Sequence, residues 1–87
     1  MMAQLVPVRV MVPDVWDEVA LEVPASTAIA TLKSAALTRS GAGGLPEDFE
    51  AKFRGALLTD ETRSLRDVGM VAGSSIILVR RHRRPVR

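Results

Sequence analysis

Residues 5–12, LVPVRVMV, carry valine at every second position from Val6 to Val12, and residues 18–23, EVALEV, resume the alternation after a gap of five. A side-chain period of two is the signature of a strand with one buried face. With Pro13-Asp14 beginning a turn between them, the chain is predicted to open on a β-hairpin, Leu5 to Val12 against Glu18 to Val23. Valines 6, 8, 10, 12, 19 and 23 and Leu21 then share one face. Pro7 has no N–H to donate, so it belongs near the beginning of its strand or at an edge.

The period changes after Pro24, which ends the second strand. Over STAIATLKSAALTRS, residues 26–40, the apolar residues Ile29, Leu32, Ala36 and Leu37 fall within one arc of a helix, flanked by Lys33 and Arg39. Ser26 or Thr27 is expected to cap its first free N–H groups, and Gly41 in GAGG to end it. Glu50 to Phe53 reads as a short strand, Arg54-Gly55 as a turn and Ala56 to Leu58 as a brief return. A long connection follows, anchored only by Leu65, Val68 and Met70, before the last strand, Ser75 to Val79. One helix between two hairpins, with a last strand free to pair beside the first, describes an α+β sheet of four to five strands packed on one helix.

At 87 residues with 47% apolar content the chain suits one small domain. Without cysteine it has neither disulfide nor thiolate zinc site, so the apolar core must hold the fold alone. The longest apolar run, Ile76 to Val79, is far below the roughly twenty residues that span a bilayer, and no basic stretch followed by an apolar one opens the chain. A soluble, cytoplasmic protein with no membrane insertion is the expectation.

Charge is distributed unevenly. Arg80, Arg81, Arg83, Arg84 and Arg87 are five of twelve cations, leaving seven against ten acids, a formal −3, over residues 1–79. An acidic body with a basic tail does not present the basic folded face of a nucleic-acid-binding domain. The tail has no aromatic residue to stack on bases, and Pro85 opposes a recognition helix. Weak, salt-sensitive binding without sequence preference is the most it should show, and no specific nucleic-acid partner is expected.

Catalytic groupings are missing. The single histidine, His82, sits among arginines, where a solvated role is expected. The acids at 14, 17, 18, 47, 48, 60 and 61 have neither calcium-loop spacing nor a histidine at i, i+4, and GAGG follows a helix instead of opening one. No enzyme, cofactor or metal is expected. Trp16 in the first turn is expected to fold onto its own hairpin, with a partner anchor as the alternative.

The element order, with LEVPASTAIATLK, FRG, SLRDVGM and SSIILV at matching spacings, resembles ubiquitin and its β-grasp relatives over roughly residues 5–83. The resemblance implies a ubiquitin-like domain over residues 1–81 followed by a flexible basic tail, 82–87. It places Ile29 and Leu32 at the family's helix-facing apolar pair and Lys33 at its semi-buried lysine. Phe53 and Gly55 fall at the third strand and its turn, and Leu65 and Asp67 at the short helical turn before the last strand.

In conjugated modifiers and sulfur carriers of this fold the last strand runs into a tail ending Gly-Gly, where Arg84 and Pro85 stand here. Glycine lets that tail thread a narrow channel, whereas proline fixes φ and arginine fills the space, so conjugation or sulfur carriage would need a nonstandard C-terminus. Where ubiquitin has the central isoleucine of its outer-face patch, this chain has Lys52, while Ile77, Val79 and Met11 alternate outward and Arg9, Lys52 and Arg81 are expected to rim them. Those six residues form the candidate docking site, suited to an acidic protein partner. The VRV-type first strand and GMVAGSSIIL are similar to the bacterial YukD-like group associated with type VII secretion, and the Ala, Arg, Val and Gly bias suits a GC-rich bacterial genome. That resemblance implies an interaction module serving a secretion-system component.

Overall fold

The structure, a computed structural model, describes residues 5–42 and 45–80. Strands β1 (Leu5–Val12) and β2 (Asp17–Pro24) form the opening hairpin, paired antiparallel from Leu5 with Pro24 to Val12 with Asp17. Helix α1 (Ile29–Ser40) follows, and then β3 (Phe49–Phe53) turns through Arg54 and Gly55 into the two-residue β4 (Ala56–Leu57). Both turn residues have positive φ, 55° and 80°, the geometry whose twist matches a two-residue hairpin. A single helical turn, α2 (Leu65–Val68), precedes β5 (Ser74–Arg80).

The strands order as β2-β1-β5-β3-β4, with β1 and β5 parallel at the centre and the other pairs antiparallel. This is the expected mixed sheet over one main helix. Val8, Val10 and Val12 of β1 and Ile76 and Leu78 of β5 meet Ile29, Leu32, Ala36 and Leu37 of α1 in one core. Pro7 precedes the parallel ladder, which begins at Val8 with Ser74, so its missing N–H breaks no bond there.

Three local expectations are corrected. Strand β3 begins one residue earlier than read, at Phe49, whose fully buried ring is the largest side chain at the centre of the core. The return strand stops at Leu57, one residue short. Neither Ser26 nor Thr27 caps α1: its N-cap is Ala28, without a side-chain bond. Instead the Ile29 and Ala30 N–H groups donate to the Arg63 and Glu61 carbonyls, each at 2.9 Å, while Leu65 and Arg66 return N–H bonds to Thr27 and Ala25. The connection before β5 is therefore bonded to the start of the helix.

Lys33 does not flank the core; it is buried in it, at 4% exposure. Its ammonium donates to the Phe49 carbonyl at 3.0 Å and lies 2.6 Å from the Glu61 carboxylate. A buried charge is tolerable when paired and hydrogen-bonded, and both conditions hold here. Gly41 ends α1 as expected, in the left-handed conformation, with its N–H on the Leu37 carbonyl.

Candidate protein-docking face

The register determines which side chains share the outer face of the sheet. Met11 lies across from Glu18 on β2 and beside Ile77 on β5, Ile77 lies across from Lys52 on β3, and Lys52 from Leu57 on β4. Arg9 stands between Ala20 and Ser75, and Val79 faces Glu50. All five candidate residues within the described segments, Arg9, Met11, Lys52, Ile77 and Val79, are exposed and share this face. Arg81 lies outside the described residues, as does the tail 82–87.

Met11, Ile77 and Val79 remain exposed although they occupy the middle of the sheet, and a further exposed apolar residue, Leu57, stands on the β4 edge beyond Lys52. Leu57 was not legible as a site residue because its place depends on the turn at Arg54-Gly55. The perimeter is not uniformly basic. Glu18, Glu22 and Glu50 share the face with Arg9 and Lys52, so the expected basic rim becomes a rim of both signs. Glu18 and Lys52 stand level in the row through Met11 and Ile77, Glu50 lies beside Val79 one step nearer the first hairpin turn, and Arg9 lies one step back from the row, beside Ser75.

At that end β5 finishes against the hairpin. The Arg80 guanidinium donates through Nε and Nη2 to Asp14 Oδ2, at 3.2 and 2.8 Å, and its Cζ stands 4.7 Å from the centre of the Phe49 ring. Arg80 thus belongs to the folded domain, covering an end of the core, and is not part of the tail with which its charge was grouped. The hydrogen bonds from Arg80 hold the Asp14 carboxyl below its ordinary value, and the same contact raises the guanidinium.

The expectation for Trp16 is overturned. The turn Pro13–Val15 closes with the Trp16 N–H on the Pro13 carbonyl at 3.1 Å, and Trp16 then takes a left-handed conformation with φ 54°. The indole leaves the apex and is 93% exposed instead of packing on its strands. Glycine or asparagine suits such a position, which costs a bulky residue of order 1 kcal/mol. Sequence alone located the turn but not the sign of φ within it.

Among the described residues no group of three or more acids or histidines is placed to hold a metal, and no helix is long and apolar enough to cross a membrane.

Sheet order, register and the single packed helix define a ubiquitin-like β-grasp fold, and solved structures share it. The chain is similar to the ubiquitin-like domain of an Arabidopsis thaliana protein, determined by solution NMR, at 18% identity and TM-score 0.78, covering 98% of this chain and 86% of that one. It is similar to the ubiquitin of Caldiarchaeum subterraneum at 15% identity and TM-score 0.76, covering 93% and 99%. A third likeness, 14% identity and TM-score 0.77 over 91% and 95%, is to a chain from a structure of molecular mimicry of SUMO that promotes DNA repair. No protein-family model matches the sequence, and no curated protein does.

Proposed function

We propose that the chain is a non-catalytic, cytoplasmic ubiquitin-like interaction module that docks a protein partner on the outer face of its sheet. The observation that carries this reading is the registered apolar pair Met11–Ile77, exposed at the centre of the face and extended along β5 by Val79. Polar side chains would serve a merely solvated face there, whereas a grouped apolar patch with a charged rim is the anatomy of an interface. The rim asks for a partner of both signs: carboxylates toward Arg9 and Lys52, cations toward Glu18 and Glu22.

Ile77→Asp tests the reading. A partner recovered under native conditions with the parent chain should be lost with Ile77→Asp, while a neutral surface change such as Ser75→Ala leaves it bound. A stable partner that holds Ile77→Asp as tightly as the parent would refute the assignment of this face.

Within this reading, a bacterial accessory of a type VII-like secretion machine is the finer proposal, supported by the similarity of the first strand and of GMVAGSSIIL to the YukD-like group. Two glycines of that run, Gly69 and Gly73, both have φ of 86°, so turns alone require them. Their presence does not separate one ubiquitin-like subgroup from another. Gene neighbours decide the point: secretion ATPase and membrane genes support it, and an adjacent adenylating enzyme points to a modifier or sulfur carrier instead.

A further inference from the structure

The apex of the first hairpin carries a tryptophan that the fold does not use. Trp16 is 93% exposed and sits at φ 54°, so it contributes almost no burial while occupying a conformation suited to glycine. Where local chemistry works against the fold, a functional reason is the usual cause. Beside the indole, Met11, Pro13, Asp17 and Glu18 border an open depression of about 300 Å³. The nearby Asp14 is engaged by Arg80, while Asp17, whose Oδ1 accepts the Glu18 N–H at 2.9 Å, and Glu18 are exposed acids that line the same depression as the indole.

We infer that this apex is a docking anchor whose indole inserts into an apolar pocket of a partner protein rimmed by arginine or lysine. Tryptophan is enriched among the few residues that dominate interface affinity, because a large rigid ring buries much area at little entropic cost. The two flanking carboxylates select the rim: they repel nucleic acid and anionic membranes and pair with cations. The site extends beyond the sheet-face reading and shares Met11 and Glu18 with it, whereas Trp16 and Ile77 each belong to one site alone, so Trp16 and Ile77 variants report on the two separately.

Panning a random peptide library on the full chain, with Trp16→Gly as the counter-selection, tests the anchor. Peptides with apolar residues bracketed by Arg or Lys should emerge and shift the emission of the chain's single tryptophan to the blue. Their affinity should fall about thirtyfold or more with Trp16→Gly, as for an interface hot spot, and severalfold with Asp17→Asn or Glu18→Gln. Ile77→Asp should leave it unchanged. Trp16→Gly should melt a few degrees above the parent, which separates lost binding from lost folding. The inference is overturned if no peptide depends on Trp16, if those that do are acidic, or if Trp16→Gly melts lower than the parent. A blue shift produced by anionic vesicles, or by raising the concentration of the chain alone, would also overturn it, assigning the apex to a lipid surface or to a second copy.

Discussion

Lys33 illustrates at the scale of one residue why partners matter more than polarity. Its ammonium is buried with two partners, while Glu61 retains partial access to water, with its side chain 22% exposed. Removal of either partner is therefore unequal. Lys33→Met leaves a carboxylate that can rehydrate and a Phe49 carbonyl without its donor, and should cost roughly 1–3 kcal/mol. Glu61→Ala leaves the charge of a fully enclosed lysine with one carbonyl, and should cost more, of the order of 3 kcal/mol. Urea denaturation of the two variants checks the order, and a larger loss for Lys33→Met would show that the carboxylate is the worse-placed charge. Helical spacing put Lys33 at the side of the apolar arc, and only the resemblance pointed to its semi-burial, because period alone does not reveal that the Phe49 carbonyl lies within reach. Phe49 itself escaped a reading that began the strand at Glu50, although it continues the apolar alternation of Ala51 and Phe53, because the acidic pair Glu47-Asp48 directly before it reads as loop.

Among the elements, hairpins and helix were legible from their periods, but the manner of joining was not. A serine or threonine before a helical run normally signals a side-chain cap, yet α1 begins on carbonyls from residues more than thirty positions later, Glu61 and Arg63. A capping motif does operate at α2: Ser64 Oγ accepts the Asp67 N–H at 3.1 Å, and the Asp67 carboxylate accepts the Ser64 N–H at 3.2 Å. These bonds to Ser64 hold the Asp67 carboxyl below its ordinary value. Ser64→Ala should then destabilise the domain by about 1 kcal/mol, whereas Ser26→Ala and Thr27→Ala should each stay within roughly 0.5 kcal/mol of the parent. Chemical denaturation of the three variants measures this directly. A loss at Thr27 equal to that at Ser64 would mean that its hydroxyl caps α1 in solution.

For the whole molecule, the decisive feature is that β5 lies parallel to β1 at the centre of the sheet, so both strands end at the first hairpin turn. Sequence could anticipate that pairing from two strongly apolar strands, but not that the end of one would be pinned to the turn after the other. Asp14 and Arg80, 66 positions apart, make that pin, and Phe49 lies beneath it. Its pH dependence follows from the depressed Asp14 carboxyl. Since the folded chain holds this group more weakly protonated than the unfolded chain does, the pair's contribution is complete above the ordinary aspartate range, near pH 4. It is lost as the pH falls through the lower folded-state value. Asp60 and Asp67 are depressed in the same direction by Thr62 and Ser64, so the parent should lose stability in acid through three carboxylates. Asp14→Asn removes one of them. Its melting temperature should lie slightly below the parent's at pH 7, as expected for an exposed pair, and the two curves should converge between about pH 4 and pH 2. Arg80→Ala should fall below both at every pH, because it also uncovers the Phe49 ring. Thermal melts across that range, at low salt where screening is weakest, test the pin. A constant gap between the parent and Asp14→Asn from pH 7 to pH 2 would assign the effect of the substitution to turn geometry and leave the ion pair without a role in holding the two ends together.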